Sequence, residues 1–408
     1  MGNIGSIKHY MPQYPKLYTR QVLLSTGEFT TEAVIRINGT EFYDTVPIGL
    51  TVGLKEQQSC RGDINNKNCL SRLNSYQNIL GLTQEKFDKF VGNICNAQTS
   101  VAFSLAYLKY EAYKHGFTEK QIFKFLAQKF NKATMPPKII SNILNGGKHS
   151  ENRLAFCEFM IIPQDINIEK NVRIASEIYL DLKNILINKL GNNCLYIGRE
   201  GGFSPLISNV EIAISLLNSA ILKRNKGRCH IAIDVAANSF SQLNNDGEYV
   251  YAVNEKFYTT SNLVKYYSYL LNKFPTITYL EDPFHENDID GWQQIKDILG
   301  DKILIVADDL TNSTLLYLKK HNKYFNACIL KADQAGSISK LIESYKFCVK
   351  NNIKTVISQR SGETDSDIIA HLAVGLGSDY IKAGAPARER IIKYNSLIRM
   401  EDLVYDRN

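Results

Sequence analysis

Nothing in this 408-residue chain pairs its cysteines at metal-binding spacing. The eight cysteines, at 60, 69, 95, 157, 194, 229, 328 and 348, stand singly without a CxxC. In a chain of this length that pattern predicts neither a disulfide framework nor a structural zinc site, and it suits a reducing compartment. The opening MGNIGSIKHYMPQ has no apolar run, so no signal peptide is expected. Its first six residues match the pattern for myristoylation at Gly2, a match too short to carry weight alone. No apolar stretch reaches membrane-spanning length, so no membrane partner is expected. Basic stripes, zinc-finger spacings and RNP-like motifs are also missing, which argues against nucleic acid. The net charge of +7, from 48 Lys and Arg against 41 Asp and Glu, would help gather a small anionic substrate.

What is present divides into two textures. Residues 18–47 alternate in three short runs, YTRQVLL, FTTEAVIRI and EFYDTVPI, separated by Gly27 and by Asn38-Gly39. This predicts an antiparallel meander. A polar loop follows at 49–63, and residues 70–133 carry apolar residues at helical spacing. The first unit is therefore an α+β domain over residues 1–135, closed by the prolines near 136.

From residue 136 to 408 the pattern is α/β. Six apolar strands, IAIDVAA, ITYLEDPF, ILIVADDL, ACILKADQ, KTVISQRSGE and YIKAGAP, end in Asp234, Glu281, Asp308, Lys331, Gln359-Arg360 and Lys382. Near-continuous apolar strands alternating with helices predict a parallel sheet. An open sheet gathers its chemistry at one switch point. Functional residues at six successive strand ends instead call for a closed barrel, which brings every end to one mouth.

Converging there, Asp234, Glu281 and Asp308 would repel one another unless a cation joined them, and hard oxygen donors suit Mg²⁺. Lys331 and Lys382 could then act beside the ion, one of them as a base with a lowered pKa. Such a set suits proton abstraction α to a carboxylate. Upstream, NGGKHSENRLAFCEFM and GREGGFSP place His149, Glu158 and Glu200 beside glycine-rich or apolar sequence, where a carboxyl can stay protonated and serve as an acid.

Taken in order, NGGKHSEN, CEFMI, REGGFSP, IDVAA, LEDPF, VADDLT, LKADQAGS, SQRSGET and IKAGAP followed by RER resemble the enolase family, the phosphopyruvate hydratases. The resemblance implies a modified TIM barrel of the enolase type, its second strand antiparallel, behind an N-terminal α+β capping domain. It implies dehydration of 2-phospho-D-glycerate to phosphoenolpyruvate in a cytoplasmic, glycolytic homodimer with two Mg²⁺ per site. In that pattern Lys331 is the base, and Glu200, with Glu158 nearby, is the acid. His149 lies on a mobile loop, Lys382 grips the substrate carboxylate, and Arg360 and Ser361 bind phosphate. Asp234, Glu281 and Asp308 hold the first metal, and Thr51 matches a serine that helps bind the second.

Several positions depart from the pattern. Gln359 replaces the histidine before the Arg-Ser pair, Arg199 replaces an acid before Glu200, and the 48–53 loop IGLTVG is more apolar than SGASTG. Asn238-Ser239-Phe240 replaces a Ser-Glu-Phe run, and LLSTGEFTTE keeps Glu32 but loses an arginine. These changes gather around the substrate. They leave two further readings: a related reaction on another phosphorylated or phosphonylated three-carbon acid, as in carboxyphosphonoenolpyruvate synthase, or an inactive paralogue with an interaction role.

Overall fold

Three short alternating runs open the molecule, and a computed structural model shows how they pair. The structure describes residues 15–49, 67–76, 78–132, 136–191, 195–223 and 229–404. Gly2 and Thr51 lie outside the described residues. Strands β1 (Lys16–Leu23), β2 (Phe29–Ile37) and β3 (Thr40–Thr45) form the expected meander, with β2 in the centre. The β2–β3 turn, Asn38-Gly39, has φ of 49° and 85°, the left-handed pair that matches the twist of a tight hairpin. Helices α1 (Lys67–Ser75), α2 (Gln84–Gly92), α3 (Ala97–Lys114) and α4 (Ile122–Phe130) follow. The central α3 is buried from Thr99 through Leu108, between the sheet on one side and α2 on the other. Asn96 starts it by accepting a hydrogen bond from the Thr99 N–H at 2.8 Å.

One expectation fails in this unit. Cys69 on α1 and Cys95 just after α2 form a disulfide, their Cα atoms 5.3 Å apart. The pair is 26 residues apart and only the fold brings it together, so spacing carried no signal. Cys157, Cys229, Cys328 and Cys348 are free and buried.

The rest of the chain closes into a barrel. In chain order its strands are β4 (Lys138–Asn145), β5 (Glu158–Pro163) and β6 (Cys229–Asp234). A side sheet of β7 (Ser241–Leu243), β8 (Tyr249–Val253) and β9 (Lys256–Thr259) interrupts the sequence. Then come β10 (Ile277–Glu281), β11 (Leu304–Ala307), β12 (Ala327–Leu330), β13 (Lys354–Ser358) and β14 (Tyr380–Lys382). The ring runs β4-β5-β6-β10-β11-β12-β13-β14 and returns to β4. Every neighbouring pair is parallel except those made by β5, which runs antiparallel to both β4 and β6. The fold is thus the α/β modified TIM barrel that the resemblance implies, with the small α+β unit before it. Ile140, Met160, Tyr279, Val306, Ile329 and Val356 fill the barrel interior. No described helix is long and apolar enough to cross a membrane.

The first unit is fastened to the barrel at several places, among them the Ser104 hydroxyl and the Asp88 carboxylate, which accept the Ile338 and Ser339 N–H groups at 2.8 and 2.9 Å. Ile48 and Gly362 exchange backbone hydrogen bonds of 2.9 Å each, and Ser25 bonds Glu363 through both its N–H and its hydroxyl. Elsewhere α4 crosses the helix Ile368–Leu376 at Gly375, where a Cβ would lie 2.7 Å from both the Leu126 Cβ and the Phe123 carbonyl oxygen.

Candidate active site

The strand register sets the mouth of the barrel. Glu158, Asp234 and Glu281 are Cα partners across β5, β6 and β10, so three carboxylates share one rung. The reversal of β5 explains why Glu158 begins its strand while Asp234 and Glu281 end theirs. Running the other way, β5 brings its first residue to the same rim. Asp308 and Lys331 follow β11 and β12 directly, Gln359 follows β13, and Lys382 ends β14.

Lys382 ties this rung together. Its Nζ donates to Asp234 Oδ2 and Glu281 Oε1, each at 2.9 Å, and lies 3.1 Å from Glu158 Oε1. Burial would lower the Lys382 pKa, but Asp234, Glu158 and Glu281 outweigh it and hold the group well above its ordinary value. Three carboxylates still exceed one ammonium. Burial and the charge of Asp234 push Glu281 up to about 8. Its Oε2 accepts a 2.7 Å bond from the Tyr279 hydroxyl.

Next along the rim, Lys331 donates through Nζ to Asp308 Oδ2. Burial acts to lower the Lys331 pKa, yet Asp308 turns the balance upward. The lowered pKa expected of a base is therefore not found, because the lysine is paired with the very aspartate expected to hold a metal. Asp308 moves the opposite way, with burial outweighed by Lys331.

Asp234, Glu281 and Asp308 are hard oxygen donors from adjacent strands carrying more negative charge than their lysines offset, so a divalent cation fits this donor set. Asp282 and Asp309 sit beside it, with carboxylate oxygens within 4.8 Å of one another and of Asp308. Asp282, at a φ of 41°, accepts the Asp308 and Asp309 N–H groups at 2.9 Å each. Sequence reasoning passed over this brace, although both residues stand in LEDPF and VADDLT.

On the other side, His149 Nδ1 lies 3.7 Å from Glu158 Oε1 and 3.8 Å from Glu200 Oε1. Burial lowers the His149 pKa, against the pull of Glu200 and Asp234. The two glutamates separate. Burial, then the charge of Glu200, raises Glu158 well above the carboxylate range. Burial also acts upward on Glu200, but His149, Lys382 and Arg390 carry it down. Burial thus favours the neutral form at Glu158, while the basic neighbours of Glu200 favour its carboxylate. Asn142 donates to Glu200 Oε2 at 3.2 Å. A polar residue inside the apolar run KIISNILN was the available signal for it.

On the side expected to bind phosphate, Arg360 Nε lies 3.1 Å from Asp333 Oδ2. Gly49 crowds the same guanidinium so closely that a Cβ there would be 1.8 Å from Nη2. One cavity is lined by His149, Glu158, Glu200, Asp234, Asp308, Lys331, Gln359, Arg360, Ser361 and Lys382. Glu281 is fully buried and meets the group through Lys382. Asn238, one of the departures, donates to Asp309 Oδ2 at 2.8 Å and so supports the acidic brace.

Comparison with known proteins bears on this arrangement. Residues 133–408 match the model of the enolase C-terminal TIM barrel domain. The chain is 36% identical over 417 residues to the enolase of Ehrlichia canis, covering 95% of each chain. It is 34% identical over 410 residues to the enolase of Methanocaldococcus jannaschii, covering 94% of each. The enolase of Metallosphaera sedula is 32% identical over 402 residues, again covering 94% of each.

Proposed function

The chain belongs to the enolase family and is a lyase of that type, and on this premise we propose that it dehydrates 2-phospho-D-glycerate to phosphoenolpyruvate with Mg²⁺. One observation supports this reading above the others. In the eight-strand ring β5 and β12 are four strands apart, so the Glu158–Glu200 pair and Lys331 face each other across the mouth. A substrate between them would meet a base on one face and a proton donor on the other, the geometry an elimination of water requires.

In the proposed reaction Lys331 Nζ takes the C2 proton, and the electron pair passes into the substrate carboxylate. The electrons return to form the C2–C3 double bond as the C3–O bond breaks. The Glu158–Glu200 pair supplies the proton that turns the departing hydroxyl into water, with His149 beside it. Lys382 holds the carboxylate, and Arg360, Ser361 and Gln359 hold the phosphate. Mg²⁺ bound by Asp234, Glu281 and Asp308 would free Lys331 from its ion pair and stabilise negative charge on the substrate carboxylate. A second, substrate-associated ion would involve Thr51. We place the enzyme in the cytoplasm as a homodimer, with residues 1–135 capping a catalytic domain of residues 136–408.

The test is formation of phosphoenolpyruvate from 2-phosphoglycerate, followed by absorbance with and without Mg²⁺. Turnover that needs Mg²⁺ is expected, below the rate of relatives that keep the histidine. Lys331→Ala should abolish exchange of the C2 proton with solvent. No turnover by folded, Mg²⁺-loaded protein would overturn the substrate assignment, and surviving exchange would remove Lys331 as the base.

A further inference from the structure

Arg390 closes the short helical turn Arg388–Arg390 after IKAGAP and has no exposed surface. Its Nη1 donates to the Gln359 side-chain Oε1 and to the Arg360 carbonyl oxygen, both at 2.7 Å. Nη2 donates to the Ser361 carbonyl at 2.8 Å and to the Arg199 carbonyl at 3.1 Å. Nε pairs with Glu389 at 2.8 Å. One guanidinium thus holds three consecutive residues of the anion-binding loop and the residue before Glu200.

The bond to Gln359 has a chemical consequence. A guanidinium only donates, so the amide oxygen must face Arg390 and the NH₂ must face away. Gln359 is 3% exposed, and its Nε2 has no hydrogen-bond partner among the described residues. Gly384, at a φ of 77°, gives the amide room: a Cβ there would lie 2.7 Å from Nε2. Buried donors are rarely left unsatisfied, and this one belongs to a residue lining the substrate cavity.

We propose that Arg390 is a positioning residue that locks the Gln359 amide in one orientation, making its NH₂ a fixed, non-titrating donor to a phosphate oxygen of the substrate. The proposal rests on the phosphate assignment of the Gln359–Arg360–Ser361 loop. Unlike an imidazole, the amide carries no proton that comes and goes between pH 5 and 8. Gln359 itself therefore adds no ionisation to recognition over that range.

Binding of inorganic phosphate by calorimetry tests this without relying on turnover, and 2-phosphoglycerate kinetics provide the second readout. Gln359→Met should weaken phosphate binding roughly 10- to 100-fold, the loss of a hydrogen bond to a charged group, and should raise KM more than it lowers kcat. Arg390→Lys should weaken binding in the wild-type background, and much of that penalty should vanish when Gln359 is already Met. A merely structural role would leave the two effects additive. If Arg390→Lys fails to fold, Gln359→Glu keeps the test alive. It preserves an oxygen facing Arg390 and removes the donor, so thermal stability should hold while phosphate binding is lost. Gln359→His should add to the KM profile an ionisation between pH 5 and 8 beyond that of the substrate's own phosphate. Additive effects of Gln359→Met and Arg390→Lys, unchanged phosphate binding in Gln359→Met, or no phosphate binding by the wild type would overturn the proposal. Phosphate binding that follows these expectations without turnover of 2-phosphoglycerate would sustain it while removing the substrate assignment above.

Discussion

At the scale of single residues, the site is governed by charges that must be shared because burial denies them solvent. Glu158 and Glu200 differ in environment, not in chemistry: Asn142 bonds Glu200, and three basic groups act on it, while burial dominates at Glu158. Gly49 illustrates a steric form of the same economy. It has no side chain because the Arg360 guanidinium occupies the space a Cβ would fill. Gly49→Ala is expected to displace Arg360 and raise KM about tenfold or more, the scale of a weakened charge-assisted bond. The melting temperature should change little, because the contact lies at the cavity and not in the core. Steady-state kinetics beside a thermal melt would check this, and an unchanged KM would show that Arg360 is not held where Gly49 permits.

Elements explain why separate residues arrive together. Gly375 lets α4 of the first unit press onto the helix Ile368–Leu376 of the barrel. Gly375→Ala should cost about 1–3 kcal/mol, as overpacking a tight crossing does, despite the better helix propensity of alanine. Urea denaturation would measure it, and a stabilised variant would show that the crossing has slack. The same element-level view shows what could be read from the chain alone. Six of the eight barrel strands were legible because each is an apolar run closed by one charged or polar residue. β4 and β5 were not picked out residue by residue. Ser141, Asn142 and Asn145 interrupt the apolar texture of β4, and β5 follows a motif read for its chemistry. The side sheet β7–β9 escaped because its strands are short and broken by NNDG and by Asn254-Glu255, both at positive φ. Arg390 was visible only as a motif letter. A charged residue at the start of a helix reads as a solvated face, and nothing local reveals four oxygens converging on it.

Over the whole molecule, the barrel mouth is a concentration of buried acid, which costs the fold stability wherever no cation offsets it. Glu281 is pushed from an ordinary value of 4.5 up to about 8, and Asp309 from 3.8 up to about 7, with burial the leading cause for both. For an acid whose pKa is higher folded than unfolded, the folded state keeps a proton that the unfolded chain has already released. Between the two pKa values the folded state binds more protons, so stability falls as pH rises. For Glu281 that window runs from about pH 4.5 to about 8, and for Asp309 from about 4 to 7. Metal-free protein should therefore show a melting temperature that declines from pH 5 toward pH 8. Millimolar Mg²⁺ should offset the decline most at the alkaline end, where the carboxylates are ionised and ready to bind, since a ligand that binds only the folded state stabilises by mass action. Thermal melts across that range, with and without Mg²⁺, decide the matter. A flat metal-free profile would mean that the lysines alone balance the rim. A Mg²⁺ effect no larger at pH 8 than at pH 5 would mean that these carboxylates do not hold the ion.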